Sequence, residues 1–286
     1  MTNILNFREK LMKIVFLLTA CVSIAAVFLI CFFLLINGLP AMKEIGFGNF
    51  IFGKQWLPMQ NIYGIFPMIV GSLYVTAGAI LIGVPIGVFT SVYLVKFCPK
   101  GLYKIAKPAI DLMAGVPSIV YGFFGMIIIV PFVQTVFGGS GKGILTASIL
   151  LSIMILPTII NVVEANLRAV PNYYYEGALA LGASEERSAF FVLLPAAKSG
   201  VLAGIALGLG RAVGETMAVI MVAGNQAIMP QSVVSGVRTL TANIVLEMGY
   251  AADLHKGALI ATAVVLFIFV LIINGCFALL KRGKKL

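Results

Sequence analysis

The sequence predicts an all-α polytopic membrane protein with six transmembrane helices. Of its 286 residues, 61% are hydrophobic and only 10% are charged, and the mean hydropathy is +1.09. A soluble domain has about 45–50% apolar and about 25% charged residues, and so few charges cannot cover this much apolar surface in water. The apolar runs are long and lack the alternation of a membrane β-barrel, so the spans are predicted to be helices.

Each predicted span is a run of mostly apolar residues, because about 20 helical residues are needed to cross the hydrocarbon core. Six runs meet this requirement: residues 13–36, 66–95, 108–133, 143–163, 197–223 and 257–280. The first run extends well past the length of a signal-peptide core, so we predict a retained membrane anchor.

The placement of Lys and Arg predicts the orientation, since cytoplasmic loops carry an excess of these residues. With the N-terminus inside, fourteen basic residues fall in cytoplasmic segments: Arg8, Lys10, Lys13, Lys96, Lys100, Lys104, Lys107, Arg168, Arg187, Lys198, Lys281, Arg282, Lys284 and Lys285. Five fall in external segments: Lys43, Lys54, Lys142, Arg238 and Lys256. We therefore predict that both termini are cytoplasmic, and this bias accounts for the net charge of +10 without a nucleic-acid partner.

The inside segment between the fourth and fifth spans predicts two short helices joined by a turn. Tyr174, Ala178 and Leu181 share one face at helical spacing, and Gly182 is a natural helix stop because it tolerates positive φ. Ser184 can cap the following helix, and the two glutamates after it suit the positive end of the helix dipole. The apolar face of this pair must either fold back on the bundle or dock into another protein.

Seven residues of this segment stand at fixed spacings: Glu176, Gly177, Ala178, Gly182, Val192, Leu194 and Pro195. They resemble the coupling loop of binding-protein-dependent ABC importers, in which Glu-Ala-Ala is followed by three residues, Gly, nine residues, an aliphatic residue, any residue, Leu and Pro. Gly177 in place of the first Ala is the one departure, and it weakens that helix by about 1 kcal/mol. The resemblance implies that the loop fits a groove on an ATP-hydrolysing subunit, whose closure then rocks the spanning helices.

The same resemblance implies a type I ABC importer permease core with an extra N-terminal helix. The expected parts are a cytoplasmic N-terminus with the first transmembrane helix (1–37), an external segment (38–65), the permease core (66–280) with its coupling loop (about 164–196), and a basic cytoplasmic tail (281–286).

The fifth predicted span carries glycines at a spacing of four residues. Gly200, Gly204 and Gly208 form one series, and Gly210 and Gly214 form another. Glycines at this spacing let two helices approach closely. The spacing alone leaves open whether the contact is a subunit interface or a contact within the same bundle.

Two charges are predicted on one face of this same span, Arg211 and Glu215, four residues apart. A charge within the membrane costs at least about 2.5–3.5 kcal/mol, which is more than an i,i+4 pair returns. We therefore expect them to face a substrate path, to which Thr216, Ser118 and Tyr121 add polar groups. A structural ion pair with other helices is the alternative.

Three passages, residues 114–125, 208–218 and 237–249, are similar to phosphate-specific members of the ABC importer family. The similarity is closest to the C-type permease subunit, whose functional Arg and Glu match Arg211 and Glu215. It implies, as partners, a related A-type permease, a dimeric ATPase that binds ATP and magnesium, and an external phosphate-binding protein, at a bacterial or archaeal plasma membrane. The chain itself is expected to bind no cofactor and to catalyse no reaction.

Other functions stay open at this point. A permease for sulfate, molybdate or phosphonate would use the same machinery, whereas an ion-driven secondary transporter has no use for an ATPase-docking loop. A membrane enzyme or metal site is not supported, because no His or Cys residues have metal spacing and His255, the sole histidine, is predicted to have no role.

Two further charge pairs lie near predicted cytoplasmic ends. Asp111 and Glu164 each have a basic residue four positions away, Lys107 and Arg168 respectively. We predict that these pairs form salt bridges at the membrane interface.

Overall fold

Helices make up nearly all of the regular structure of the chain. The computed structural model describes residues 2–282, and Lys284 and Lys285 of the predicted basic tail lie outside them. In chain order the helices are α1 (Thr2–Ile45), α2 (Phe47–Phe52), α3 (Phe66–Val92), α4 (Lys100–Gly115), α5 (Ser118–Phe124), α6 (Val130–Phe137), α7 (Ile144–Ala169), α8 (Asn172–Ala180), α9 (Glu185–Ser188), α10 (Leu194–Ala196), α11 (Lys198–Gly214), α12 (Met217–Val222), α13 (Leu240–Glu247) and α14 (Asp253–Arg282).

Shorter elements connect these helices. An antiparallel pair of strands, β1 (Trp56–Leu57) and β2 (Ile62–Tyr63), lies between α2 and α3 and is joined by a 3₁₀ turn, Pro58–Gln60. Wider π-helical turns follow α3, α5 and α9, over Tyr93–Phe97, Gly125–Ile129 and Ala189–Leu193.

Five helices in the described residues are long and apolar enough to cross a membrane: Glu9–Ile45, Phe66–Phe97, Ser118–Phe137, Ile144–Ala169 and Asp253–Leu279. A sixth is obtained if the two helices that meet at a 75° bend, Glu185–Ala196 and Lys198–Gly214, count as one span. The prediction of an all-α polytopic membrane protein is therefore confirmed.

The first helix extends beyond its predicted span, residues 13–36, at both ends, and it stops at Gly46, whose φ is +89°. Residues 9–30 are all exposed. Near its end α1 lies so close to α14 that a Cβ on Gly38 would come within 2.8 Å of Val264. The helix is therefore peripheral, and its last turns attach it to α14.

The prediction of a third span over residues 108–133 is wrong in its first part. Pro117 holds Val116 in an extended conformation (ψ 127°), because a residue that precedes proline is disfavoured in a helix. The chain therefore breaks between α4 and α5, whereas Pro108 lies inside α4. The apolar run in the sequence merged the end of α4 with the true span.

The prediction of a continuous fifth span over residues 197–223 is also wrong. Glu215 is extended (φ −68°, ψ 130°) and separates α11 from α12, so Arg211 and Glu215 do not share a helix. The Glu215 carboxylate accepts hydrogen bonds from the backbone N–H groups of Thr216 and Ala218. Such local bonds offer the backbone an alternative to continuing the helix.

The main core is built around α7, which packs against α3 and α11. Two glycines of α11 permit the second contact, since a Cβ on Gly204 would lie 2.9 Å from Val163 and one on Gly208 would lie 2.8 Å from Ile159. Gly200 faces Asn166, which also belongs to α7. The first glycine series therefore serves a contact within the chain.

The second glycine series has a different environment. A Cβ on Gly210 or Gly214 would meet no atom within 4 Å in the described residues, and both glycines are exposed. These two residues lie on a face of α11 that α7 does not cover.

A second, smaller core joins the end of α1, residues 46–65, α13 and α14. Its buried members are Met42, Phe50, Trp56, Tyr63, Ile65, Met68, Leu240, Ala258, Leu259 and Ala261. This core fixes the segment before α3 onto the last helix of the chain.

Candidate functional site

Residues 172–196 form the predicted pair of short helices and turn. Gly182 has a φ of +85° and ends α8. Ser184 Oγ accepts a hydrogen bond from the Arg187 N–H at 3.3 Å and caps α9. Hydrogen bonds from its own backbone N–H and from the Ser184 hydroxyl lower the pKa of Glu186. The helix–turn–helix prediction is confirmed, together with the two residues expected to shape it.

The apolar side of α8 is not covered. Leu181 is 91% exposed, and the exposed rings of Tyr173 and Tyr174 stack at 4.7 Å between centroids. The loop is anchored at Tyr175, whose ring lies 3.9 Å from Lys96 Nζ after α3. These residues do not fold back on the bundle, so this face is free to contact another protein.

The seven motif residues are divided between the open and the packed sides of the loop. Glu176, Gly177, Gly182 and Pro195 are exposed, whereas Ala178, Val192 and Leu194 are half-buried. The last of them lie beside the 75° bend between the loop and α11. A force applied to the exposed residues would therefore reach α11 through a packed joint.

Arg211 is a cation without a carboxylate partner among the residues that the structure describes. Its Nη1 donates to Thr158 Oγ1 at 3.4 Å, which is a long and weak hydrogen bond. Within residues 2–282 Arg211 therefore forms no ion pair with another helix, and its place in a substrate path stays a prediction.

Glu215 turns toward the start of α12 and away from Arg211. Its Oε1 accepts from the N–H of Thr216 at 3.0 Å and from that of Ala218 at 3.2 Å, where a negative group suits the helix dipole. Its main-chain carbonyl accepts from the Thr241 hydroxyl at 3.2 Å. Glu215 thus holds the break between α11 and α12 in place.

The other predicted path residues are only partly brought together. Tyr121 is buried and bridges the break between α4 and α5, since its hydroxyl donates to the Met113 carbonyl at 2.9 Å. The Thr216 hydroxyl donates to the Gly214 carbonyl beside Glu215. Ser118 begins α5 and is half-buried, and within residues 2–282 it forms no hydrogen bond to the other predicted path residues.

Glu164 on α7 is the centre of a charged cluster that holds α4. Its carboxylate lies 3.1 Å from Lys107 Nζ and 2.9 Å from Arg168 Nε, and it accepts from the Tyr103 hydroxyl at 2.7 Å. Lys107 also pairs with Asp111 at 3.3 Å. Burial opposes the charge of Lys107, but hydrogen bonds and charges from the two carboxylates outweigh burial and raise its pKa. The two predicted i,i+4 pairs are confirmed.

A second buried carboxylate, that of Glu247, lies outside every predicted site. Its Oε2 accepts from Trp56 Nε1 at 2.8 Å and lies 2.8 Å from His255 Nε2, while its Oε1 pairs with Arg238. Trp56 and His255 are the only tryptophan and the only histidine of the chain, a rarity that could have drawn attention to them. Within residues 2–282, no group of three or more His, Cys, Asp or Glu side chains is placed to hold a metal.

Comparison with known proteins places this chain among membrane transport components. Residues 79–286 match the family described as "Binding-protein-dependent transport system inner membrane component". The chain is 36% identical over 271 residues to a probable ABC transporter permease protein, YqgH, of Bacillus subtilis, which covers 90% of this chain and 88% of that protein. It is 34% identical over 297 residues to the phosphate transport system permease protein PstC of Pasteurella multocida, covering 95% and 90% respectively.

Solved structures share the architecture. A chain of the inward-facing MetNI methionine ABC transporter superposes with a TM-score of 0.61 at 21% identity, covering 80% of this chain and 99% of that chain. A chain of a bacterial ABC transporter that imports the acidic polysaccharide alginate superposes with a TM-score of 0.60 at 15% identity, covering 94% and 96%. At these identities the likeness is one of fold.

Proposed function

The chain belongs to the family of binding-protein-dependent transport system inner membrane components, and on that premise we propose that it is the C-type permease subunit of an ATP-driven importer of inorganic phosphate. As a family member it is a multi-pass membrane permease with the fold of a type I ABC importer permease. Support for phosphate comes from the resemblance of residues 114–125, 208–218 and 237–249, and from relatives named as phosphate transport permeases.

The observation that carries the proposal is the guanidinium of Arg211, which pairs with no carboxylate in the part of the chain that the structure describes. A guanidinium can donate to two oxygens of a phosphate at once. Glu215 Oε1 accepts from two N–H groups at the start of α12, and the carboxylate forms no salt bridge with Arg211 within the described residues. A single cation binds an oxyanion weakly, which suits a path that must release the ion, so high affinity belongs to the external binding protein.

The membrane potential explains why such a machine needs an energy source. Moving a negative charge into a negative interior costs about 2.3 kcal/mol per charge per 100 mV, and a phosphate dianion faces about twice that. ATP hydrolysis by a partner subunit supplies this energy. In this proposal ATP and magnesium are bound by the ATPase, and the permease catalyses no reaction.

The coupling loop supplies the contact with that ATPase. Its uncovered residues, Tyr173, Tyr174 and Leu181, would bury apolar area in a groove on one subunit of the ATPase dimer. A related A-type permease completes the translocation path, and an external phosphate-binding protein delivers the ion. Both termini lie on the ATPase side of a bacterial or archaeal plasma membrane.

Arg211→Gln tests the role of the cation in phosphate transport. In the complete transporter reconstituted into vesicles, we expect phosphate uptake to fall about ten- to hundredfold, the loss of a charged hydrogen bond, while the subunits still assemble. Arg211→Lys should retain part of the uptake, because it keeps the charge but not the two-pronged geometry. The matched control is Lys256→Gln, which removes an exposed cation on α14.

The result also bears on the substrate class. Competition of labelled phosphate uptake by sulfate, molybdate and phosphonate identifies the oxyanion, and the proposal expects unlabelled phosphate to compete best. Undiminished uptake by the Arg211→Gln transporter would show that this cation is not part of the path.

A further inference from the structure

Glu247 joins three separate parts of the chain through one carboxylate. Trp56 comes from the strand pair before α3, Arg238 from the segment before α13, and His255 from α14. All three partners meet a side chain that is only 8% exposed. Charged hydrogen bonds in such surroundings are stronger than neutral ones, so residues 46–65 are firmly tied to the last residue of α13.

The opposite end of α13 reaches the candidate path. The helix is capped by Thr239, and the N–H of Leu240 donates to Ser72 Oγ on α3 at 2.9 Å. The Thr241 hydroxyl then donates to the main-chain carbonyl of Glu215 at 3.2 Å. One short helix therefore contacts the break between α11 and α12 at its start and the Trp56 segment at its end.

We propose that α13 is a rigid strut that transmits a displacement of residues 46–65 to the Glu215 break, with Glu247 as the positioning residue. An α-helix of eight residues is about 12 Å long, and both of its ends are held by hydrogen bonds to named partners. Most of its residues are buried: Leu240, Thr241, Ala242, Asn243 and Glu247. We therefore expect this short helix to move as a unit.

The inference rests on the proposed function, because only in a binding-protein-dependent importer would the strut carry a signal from outside to the substrate path. In the predicted orientation residues 46–65 lie on the external side, where the substrate-binding protein of such importers acts. The family match begins at residue 79, so this segment precedes the matched region and is tied to it through Glu247. Contact of the binding protein with the segment would then reach the path through α13.

Trp56→Phe and Glu247→Gln test the strut in the complete transporter in nanodiscs. Both variants should lower the stimulation of ATP hydrolysis by phosphate-loaded binding protein about three- to thirtyfold, the range of coupling energies carried by such contacts. Hydrolysis without binding protein should stay near wild type, because neither residue touches the ATPase loop. The double variant should be no worse than the more affected single variant, since both variants alter the same contact between Trp56 and Glu247.

Tyr63→Phe is the matched control, because it removes a polar atom from the same strand pair without touching Glu247. The strut is refuted if stimulation stays at the wild-type level in both test variants, or if the two losses add. If stimulated and unstimulated hydrolysis fall together, Glu247 has a merely structural role and the inference also fails.

A measurement on the full chain alone separates this inference from the proposed function. A fluorophore attached at Thr216→Cys, with the four native cysteines replaced, reports the α11–α12 break whatever the substrate is. The strut predicts that Glu247→Gln shifts both its emission and the emission of Trp56, the sole tryptophan. A shift at Trp56 without one at position 216 would refute the strut, whereas absent phosphate uptake by the wild type would refute only the proposed function.

Discussion

Glu164 and Glu247 are two buried carboxylates of similar design at opposite ends of the bundle. Each accepts from an aromatic side chain and pairs with two basic residues. The start of α7 bonds to the segment that leads into α13, through Leu145 and Val233, whereas Glu164 lies near the end of α7. The two clusters are thus separated by most of the length of that helix.

Both clusters combine local and distant partners, but the most distant partner of Glu164, Tyr103, is 61 positions away, whereas that of Glu247 is about three times as far. Arg168 is four residues from Glu164, and Lys107 is four from Asp111, so helical spacing predicts both pairs. Trp56 and Glu247 are separated by 191 positions, and no local pattern joins them. A local carboxylate pair strengthens one helix, whereas a distant one ties together segments that the chain would otherwise leave apart.

The clusters also differ in burial, which sets the expected size of each mutational effect. The side chains of Arg238 and His255 are 17% and 13% exposed. Those of Lys107 and Arg168 are 24% and 46% exposed. Water can therefore solvate the charges of Lys107 and Arg168 more readily when the carboxylate is removed.

The largest effect is expected for Glu247→Ala. It leaves the half-buried Arg238 without its counter-charge and removes the acceptor for Trp56, so the free energy of unfolding should fall by about 3–5 kcal/mol. Thermal unfolding of the purified chain in detergent, followed by Trp56 emission, measures the loss. If Glu247→Ala lowers the free energy of unfolding less than Glu164→Ala does, the burial of the basic partners does not set the size of the effect.

A smaller effect is expected for Glu164→Ala. Because Arg168 is nearly half exposed, solvation offsets part of the loss, and we expect about 2 kcal/mol, below the range for fully buried pairs. The same thermal unfolding measurement applies, with the exposed Glu44→Gln as a control for removal of a carboxylate. Release of α4 in the variant should also make Lys107 more reactive toward an amine-specific reagent.

The smallest effect is expected for Asp111→Asn. Its pair with Lys107 is about half exposed on the acidic side, and such surface pairs contribute about 0–1 kcal/mol. The difference from wild type should shrink further at high salt, because exposed charges are screened. A salt-independent loss above that range would show that Asp111 belongs to the buried cluster.

Local chemistry made much of the coupling loop predictable. Gly182 and Ser184 act through their own backbone and the next few residues, so the sequence was sufficient to place the turn and the cap. Glycines spaced by four predicted a close helix contact, and the structure had to identify α7 as the partner. The uncovered state of Leu181 depends on what the rest of the chain leaves open, and no sequence pattern carries that information.

The errors of prediction have a common cause in chain breaks inside apolar runs. An average of hydropathy over a run cannot distinguish Pro117, before which Val116 leaves the helix, from Pro108, which lies inside α4. It also does not register that Glu215 bonds to the backbone ahead of it, which moved Glu215 off the face of Arg211. Both breaks lie beside residues of the candidate path, where a local departure from helix creates room for polar groups.

The exposure of α1 has a consequence for how its sequence is constrained. Residues 9–30 are exposed, so where they cross a bilayer one apolar side chain serves as well as another, and exchanges there among Leu, Ile, Val and Phe should leave the fold of the chain unchanged. Gly38 is the opposite case, since a Cβ there would lie 2.8 Å from the Val264 side chain and 3.2 Å from the Ala261 backbone. Only the final turns of this helix of 44 residues attach it to the rest of the chain. Along the remainder, the sequence has only to be apolar enough for a bilayer.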